Sequence, residues 1–329
     1  MSISLVSLVA FGSLLALPLV IPALMLVDLL RLKPRLPLVR LYAFGICWAW
    51  LEVVGVLAAT GLWLMGRAGE TSVHHRLQTW WADKIMAALR VTCGLRPEVK
   101  GAGALLPGPT ILFVRHASLA DSLLTAWVIT DSVGMKPRVV MKRELLVDPC
   151  LDIVGNRLPN CFVDRAAADT GPELAAIGAM SQGLGSGEVA VLFPEGTRAN
   201  PTKRERAVTR IGRTDPVRAE RMTKLTNLLP PRPGGAATML GAVPDAALCV
   251  GWHVGFEGLD TFSGIVAALG RRRTPVRIRF EEIPRPSSAA ISHGGPDTGP
   301  PAEFTEWLDG VWLDLDRRVC ELLETPPGS

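Results

Sequence analysis

The six cysteines, Cys47, Cys93, Cys150, Cys161, Cys249 and Cys320, include no C-x-x-C pair and form no His/Cys cluster of zinc-ligand spacing. That argues against a structural zinc module and for reduced, mostly buried thiols, as suits a domain facing the cytosol. Net charge is also small, 35 Lys and Arg against 31 Asp and Glu. The distribution of charge therefore says more than its sum. No internal repeat is visible. The apolar start has no charged segment before it and no clear A-x-A cleavage site, which disfavours a removable signal peptide. The sharpest deficit is local: Ser2 to Val27 holds no charged residue, and Leu41 to Gly66 holds only Glu52.

Each of these stretches is long enough to cross a hydrocarbon core of about 30 Å as a helix. Pro18 and Pro22 would bend the first, a kink that membranes tolerate. The connector RLKPRLPLVR carries Arg31, Lys33, Arg35 and Arg40. Two full spans would put this basic loop and the rest of the chain on opposite sides. The positive-inside rule would then place the large domain outside the cytosol, against the reading of the cysteines. A hairpin lying partly in one leaflet, with the connector at the headgroups, removes the conflict. Glu52 is read either as a functional intramembrane carboxylate or as a packed structural one. In Thr71 to Arg90, Leu77, Trp80, Trp81, Ile85, Met86 and Leu89 recur at helical spacing. This helix suits a membrane interface or packing on the domain. His74 and His75 are expected to be solvated.

From about residue 96 short β-rich runs alternate with helical patterns. The strands expected are 110–114, 138–141, 161–163, 188–193, 247–252 and 276–280. Helices are expected near 121–131, 144–154, 172–184, 203–229, 257–269 and 301–324. The alternation predicts an α/β domain with a central mixed sheet flanked by helices, preceded by an N-terminal membrane helical hairpin. The division is 1–70 for the anchoring helix pair and 71–329 for the α/β domain, with a basic insert at about 199–227. Lys203 to Lys224 holds eight Lys or Arg and three Asp or Glu, and Pro216 should divide it into two helices. Without aromatic stacking residues it does not read as a nucleic-acid site. It is either a solvated basic face or an attractor of anionic lipid or of a polyphosphate such as coenzyme A.

Two motifs carry chemistry. RHASLAD, Arg115 to Asp121, follows the apolar run TILFV. Residues five apart do not share a helix face, so His116 and Asp121 meet only if the chain turns between them. A strand ending at Val114, a loop bearing His116 and a helix capped by Ser118 would achieve this. Asp121 would then fix one imidazole nitrogen and free the other as a general base, with a substrate hydroxyl as nucleophile. Taken alone, the pair is better explained by chance or by helix capping through Asp121. The second motif, FPEGTR (Phe193 to Arg198), follows the strand EVAVL at a place where α/β ligand sites lie. Arg198 offers a planar fork to phosphate, Gly196 permits close backbone approach, and Glu195 would bind a polar acceptor or brace the arginine.

At these residues the chain resembles the glycerophospholipid acyltransferases, the 1-acyl-glycerol-3-phosphate acyltransferase family. FPEGTR matches the family's third block unchanged. RHASLAD resembles the first block, commonly N-H-x-S-x-x-D, with Arg115 replacing Asn, Leu119 replacing a frequent Trp, and His116, Ser118 and Asp121 retained. NCFVDR resembles the second block, and MKREL the K-x-E-L segment between them. The resemblance covers roughly residues 70 to 255. The long basic insert and the LLPPRPGG element depart from the usual pattern. The LLPPRPGG element looks more like the branch acting on varied lysophospholipids.

The resemblance implies a glycerolipid acyltransferase-like fold and transfer of a fatty acyl group from acyl-CoA or acyl-carrier protein to lysophosphatidate or a related lysophospholipid. It implies His116 and Asp121 as catalytic, and Lys142, Arg165 and the FPEGTR residues Glu195, Gly196, Thr197 and Arg198 as substrate-binding. No cofactor or metal is expected beyond the acyl donor, and no nucleic-acid partner. Membrane lipid is the expected setting, with the catalytic domain on the cytoplasmic face. A hydrolase using the same pair, or a silent adaptor binding acidic lipid, are the alternatives. Arg232 is read as a headgroup contact or a loop brace, His253 as a satisfied structural histidine, and His293 as solvated.

Overall fold

The computed structural model describes residues 3–118, 120–164, 170–259, 261–271, 275–291 and 299–325. Arg165 and His293 lie outside the described residues.

Two apolar helices begin the chain, α1 (Ile3–Leu30) and α2 (Pro37–Leu64), followed by α3 (Thr71–Ala88). The first two are long and apolar enough to cross a membrane. Polar contacts at their turn explain how they pair. The buried Asp28 carboxylate accepts from Leu38 N (2.9 Å) and Val39 N (3.3 Å), satisfying amides that the first turn of α2 leaves without partners. Leu8, Leu15, Leu19 and Leu30 of α1 are exposed.

The second helix is tied to the globular part along its length. In the connector before it, Arg35 donates to Arg271 O (2.7 Å). Near its start, Arg40 donates to Thr92 O (2.9 Å) and Leu269 O (3.3 Å). In its middle, Glu52 accepts from Trp81 Nε1 (3.2 Å). Near its end, Arg157 donates to Ala59 O (3.1 Å). The basic connector therefore lies against the domain, not a helix length away from it.

Among the described residues seven strands form one sheet: β1 (Glu98–Lys100), β2 (Thr110–Val114), β3 (Lys136–Lys142), β4 (Cys161–Val163), β5 (Glu188–Leu192), β6 (Ala247–Val254) and β7 (Arg277–Glu282). The spatial order is β1-β7-β6-β2-β5-β3-β4. Every pairing is parallel except β6 with β7, so the sheet is mixed, as expected. The remaining helices are α4 (Asp121–Trp127), α5 (Pro149–Gly155), α6 (Gly171–Ser181), α7 (Pro201–Gly212), α8 (Pro216–Met222), α9 (Pro233–Ala242), α10 (Phe262–Leu269), α11 (Ser288–Ile291) and α12 (Ala302–Glu324).

Strand alternation sorts the core into two halves. Ile111, Phe113, Ala190 and Leu192 face α6, α9 and α12, where Ile177, Leu240 and Trp312 meet them. Leu112, Val114, Val189 and Val191 face α3 and α4, against Met86, Leu124 and Trp127. Covered on both faces, β2 has no polar side, which is why its sequence reads as one apolar run.

Several expectations need correcting. The strand β1 and the helices α9 and α11 were not anticipated; three residues are too few to show a period, and α9 is rich in Gly and Ala. His74 and His75 are buried, not solvated, because α3 turns that face inward; His74 Nε2 lies 3.0 Å from Ala68 O. The insert does split before Pro216. Its basic charge is divided in use. Arg218 and Arg221 of α8 converge on the buried Asp309 of α12, at 2.9 Å each, while Arg206 and Arg210 of α7 are exposed.

Candidate active site

The C-terminal ends of β2, β5, β6 and β3 share one edge of the sheet, and the loops leaving them deliver the motif residues to one place. In parallel sheets this is the edge where the strand-end loops and helix starts can converge on a ligand. Here β2 sits between β6 and β5, so RHASLAD is flanked by the end of β6 and by FPEGTR.

After Val114 the chain leaves the sheet, and α4 begins at Asp121. The turn brings His116 Nδ1 to 3.0 Å from Asp121 Oδ2. Ser118 is not the helix cap that was expected. Its hydroxyl donates instead to Asp121 Oδ1, and its amide (2.7 Å) and that of Ala117 (2.5 Å) donate to Oδ2. The carboxylate thus holds the loop that bears its own partner histidine. Asp121 is fully buried. Burial opposes its ionisation, but His253 and His116 outweigh that and hold the carboxyl well below the usual range. An ionised carboxylate only accepts, so Nδ1 of His116 carries a hydrogen, and in the neutral imidazole the lone pair is on Nε2.

Glu195, from FPEGTR, is 2% exposed. Its Oε1 accepts from His116 N (2.7 Å) and its Oε2 from Leu229 N (2.9 Å). It clamps the histidine loop to the LLPPRPGG segment and does not line the cavity. Burial pushes its carboxyl up to about 8, against the two amide bonds, which pull it down. Arg115, at the position of the family's Asn, is buried as well; it donates to His253 O and lies 3.3 Å from Glu257 Oε1.

In front of His116 opens a cavity of about 580 Å³. Its polar end carries His116, Lys142, Gly196, Thr197, Arg198 and Arg232. Gly196 has φ +70°, and a Cβ there would come within 3.0 Å of Arg232 Nε, so the glycine lets that guanidinium lie flat on the turn. Lys203 Nζ bridges Thr197 Oγ1 (3.4 Å) and Arg198 O (3.1 Å). Lys142 Nζ is 2.5 Å from Glu144 Oε1 at the rim. The other end is apolar, walled by Leu77 and Trp81 of α3, by Cys150 and Val154 of α5, and by Leu158. Among the described residues no group of three His, Cys, Asp or Glu could hold a metal ion.

The structure thus brings together His116, Asp121, Lys142, Gly196, Thr197 and Arg198, and sets Glu195 behind them. Sequence reasoning missed two contributors. One is α3 as a cavity wall, although its apolar stripe was the available signal. The other is His253, whose Nε2 lies 3.2 Å from Asp121 Oδ1. Nothing local in GWHVGF announces that contact, because it depends on β6 lying beside β2.

Residues 96–250 match the family model described as Acyltransferase. None of the curated proteins matches the chain in sequence. Among solved structures, the crystal structure of the 1-acyl-sn-glycerophosphate (LPA) acyltransferase PlsC from Thermotoga maritima aligns over 84% of this chain and 96% of that one, at 16% identity and a TM-score of 0.45.

Proposed function

We propose a reaction for a chain whose residues 96–250 match the Acyltransferase family model: transfer of a fatty acyl group from a thioester, acyl-CoA or acyl-carrier protein, to the free hydroxyl of a lysophospholipid such as lysophosphatidate. The observation that carries this reading is the His116–Asp121 contact of 3.0 Å at the mouth of a cavity that is cationic at one end and apolar at the other.

In this mechanism His116 Nε2 takes the proton of the acceptor hydroxyl as its oxygen attacks the thioester carbonyl. Asp121 keeps the ring in the required tautomer and stabilises the imidazolium. The tetrahedral intermediate collapses, the thiolate leaves, and the proton held by His116 is available to it. No protein nucleophile is needed. Arg198, Arg232 and Lys142 line the cavity and would hold the acceptor phosphate, fixing the hydroxyl beside His116. Arg165 is a further candidate from the sequence. The apolar end suits an acyl chain.

Two long apolar helices support membrane attachment. The contacts that hold the connector and both ends of α2 to one domain favour a hairpin seated in a single leaflet over two full crossings. The cytoplasmic face is the side proposed.

Kinetics with purified protein in detergent test the site. His116→Ala should remove transfer while the protein stays folded and membrane-bound; near-wild-type activity would sink the mechanism. Release of acyl groups to water without any acceptor would favour the hydrolase.

A further inference from the structure

His253 stands one residue before the end of β6 with its side chain 2% exposed. Its Nε2 approaches Asp121 Oδ1, the oxygen that His116 does not use, at 3.2 Å but off the hydrogen-bond direction. Neither ring nitrogen has an aligned partner among the described residues. Burying polar atoms in this way costs stability, and such exceptions call for a reason. An apolar ring would fill the same space beside Phe256, whose centroid is 5.4 Å away, without that cost. Packing alone does not ask for an imidazole here.

The charged groups nearest this ring come from the loops after β2, β5 and β6 and from α4, and most are engaged elsewhere. Arg115, from the loop after β2, donates to the His253 carbonyl and pairs with Glu257, from the turn after β6. Glu195, after β5, holds two amides. His116 itself faces the far oxygen. What remains for the ring to act on is the Asp121 carboxylate.

We propose that His253 is a positioning residue for the His116–Asp121 pair: its Nε2–H dipole, set against Asp121 Oδ1, draws negative charge away from Oδ2 and so keeps His116 in the neutral form able to accept a proton. The depressed Asp121 carboxyl agrees with this, since against the opposing effect of burial His253 is foremost among the neighbours that lower it. Without His253 more charge would rest on Oδ2, the His116 imidazolium would be better stabilised, and the His116 titration would move upward. The inference rests on His116 as the base, but its test does not need turnover.

The experiment is a pH titration of the ¹⁵N-histidine spectrum of the full chain in detergent micelles. The chain has five histidines, and the His116 signal is identified by its loss in His116→Ala. In His253→Phe the His116 midpoint should rise by about half to one pH unit. His253→Gln, which presents an amide N–H to the same oxygen, should restore most of the wild-type midpoint. In activity, the acid limb of kcat/KM should shift in parallel while acceptor KM stays within about twofold. If the phenylalanine variant does not fold, His253→Met gives the same reading. An unchanged midpoint in a folded Phe or Met variant overturns the proposal. A shifted midpoint in a protein without acyl transfer would uphold the coupling and remove only the transferase reading.

Discussion

The two ends of the cavity are built on opposite rules. At the His116 end the strong polar groups are buried and multiply bonded: Asp121 accepts from His116, Ala117 and Ser118, and Glu195 from two amides belonging to different segments. At the other end Trp81, Val154 and Leu158 belong to one apolar cluster that walls the space. One end fixes atoms to fractions of an ångström, because a buried donor or acceptor without its partner is expensive. The other supplies area without direction, since apolar burial has no angular preference. A reaction that joins a positioned hydroxyl to a variable hydrocarbon needs both.

Substitutions at the two ends should therefore fail in different currencies. The largest effect belongs to His116→Ala, expected to lower kcat by about 10²- to 10⁴-fold with stability nearly unchanged. Asp121→Asn should lose activity on a similar scale and stability as well. Its amide NH2 must face either the imidazole and two backbone N–H groups or the Ser118 hydroxyl, for about 1–3 kcal/mol in chemical denaturation. Leu158→Ala, at the apolar end, should cost about 2 kcal/mol and leave kcat/KM for the acceptor intact. The cost sits at the low end for such truncations because the side chain already borders a cavity. A large kcat loss there would break the contrast. Arg232→Ala should raise acceptor KM about tenfold with little change in kcat, as expected for binding shared by ground and transition states.

A pH dependence adds a further test at the buried polar end. The Glu195 carboxyl has a folded value of about 8 against about 4.3 in an unfolded chain. Between those values the folded state binds the proton more tightly. Its contribution is fully present below the lower value and is lost as pH rises toward 8. Thermal unfolding of the wild type should show this decline, and Glu195→Gln should flatten it at the expense of overall stability, because its NH2 opposes one of two donor amides.

Much of this was legible in the sequence. Strand β2 was placed to the residue because a strand covered on both faces is continuously apolar, and β4 because CFV is bounded by turn residues. The hairpin followed from the absence of charge. His116 and Asp121 could be paired because their spacing forbids a shared helix face and so demands a turn. What was not legible depends on strand order. His253 reaches Asp121 only because β6 pairs with β2, across more than 130 positions of chain, and Glu195 turns inward only because the histidine loop and Leu229 present amides to it. Ser118 shows the limit of local rules: a good cap by type, it serves the carboxylate three residues on, where a buried charge outbids a helix end.

The measurement that tests the central claim most directly is thiol release from oleoyl-CoA by the purified protein, with and without lysophosphatidate, beside His116→Ala. The account predicts release that requires both the lysophospholipid and His116. Release that persists without the acceptor, or in the alanine variant, would contradict it.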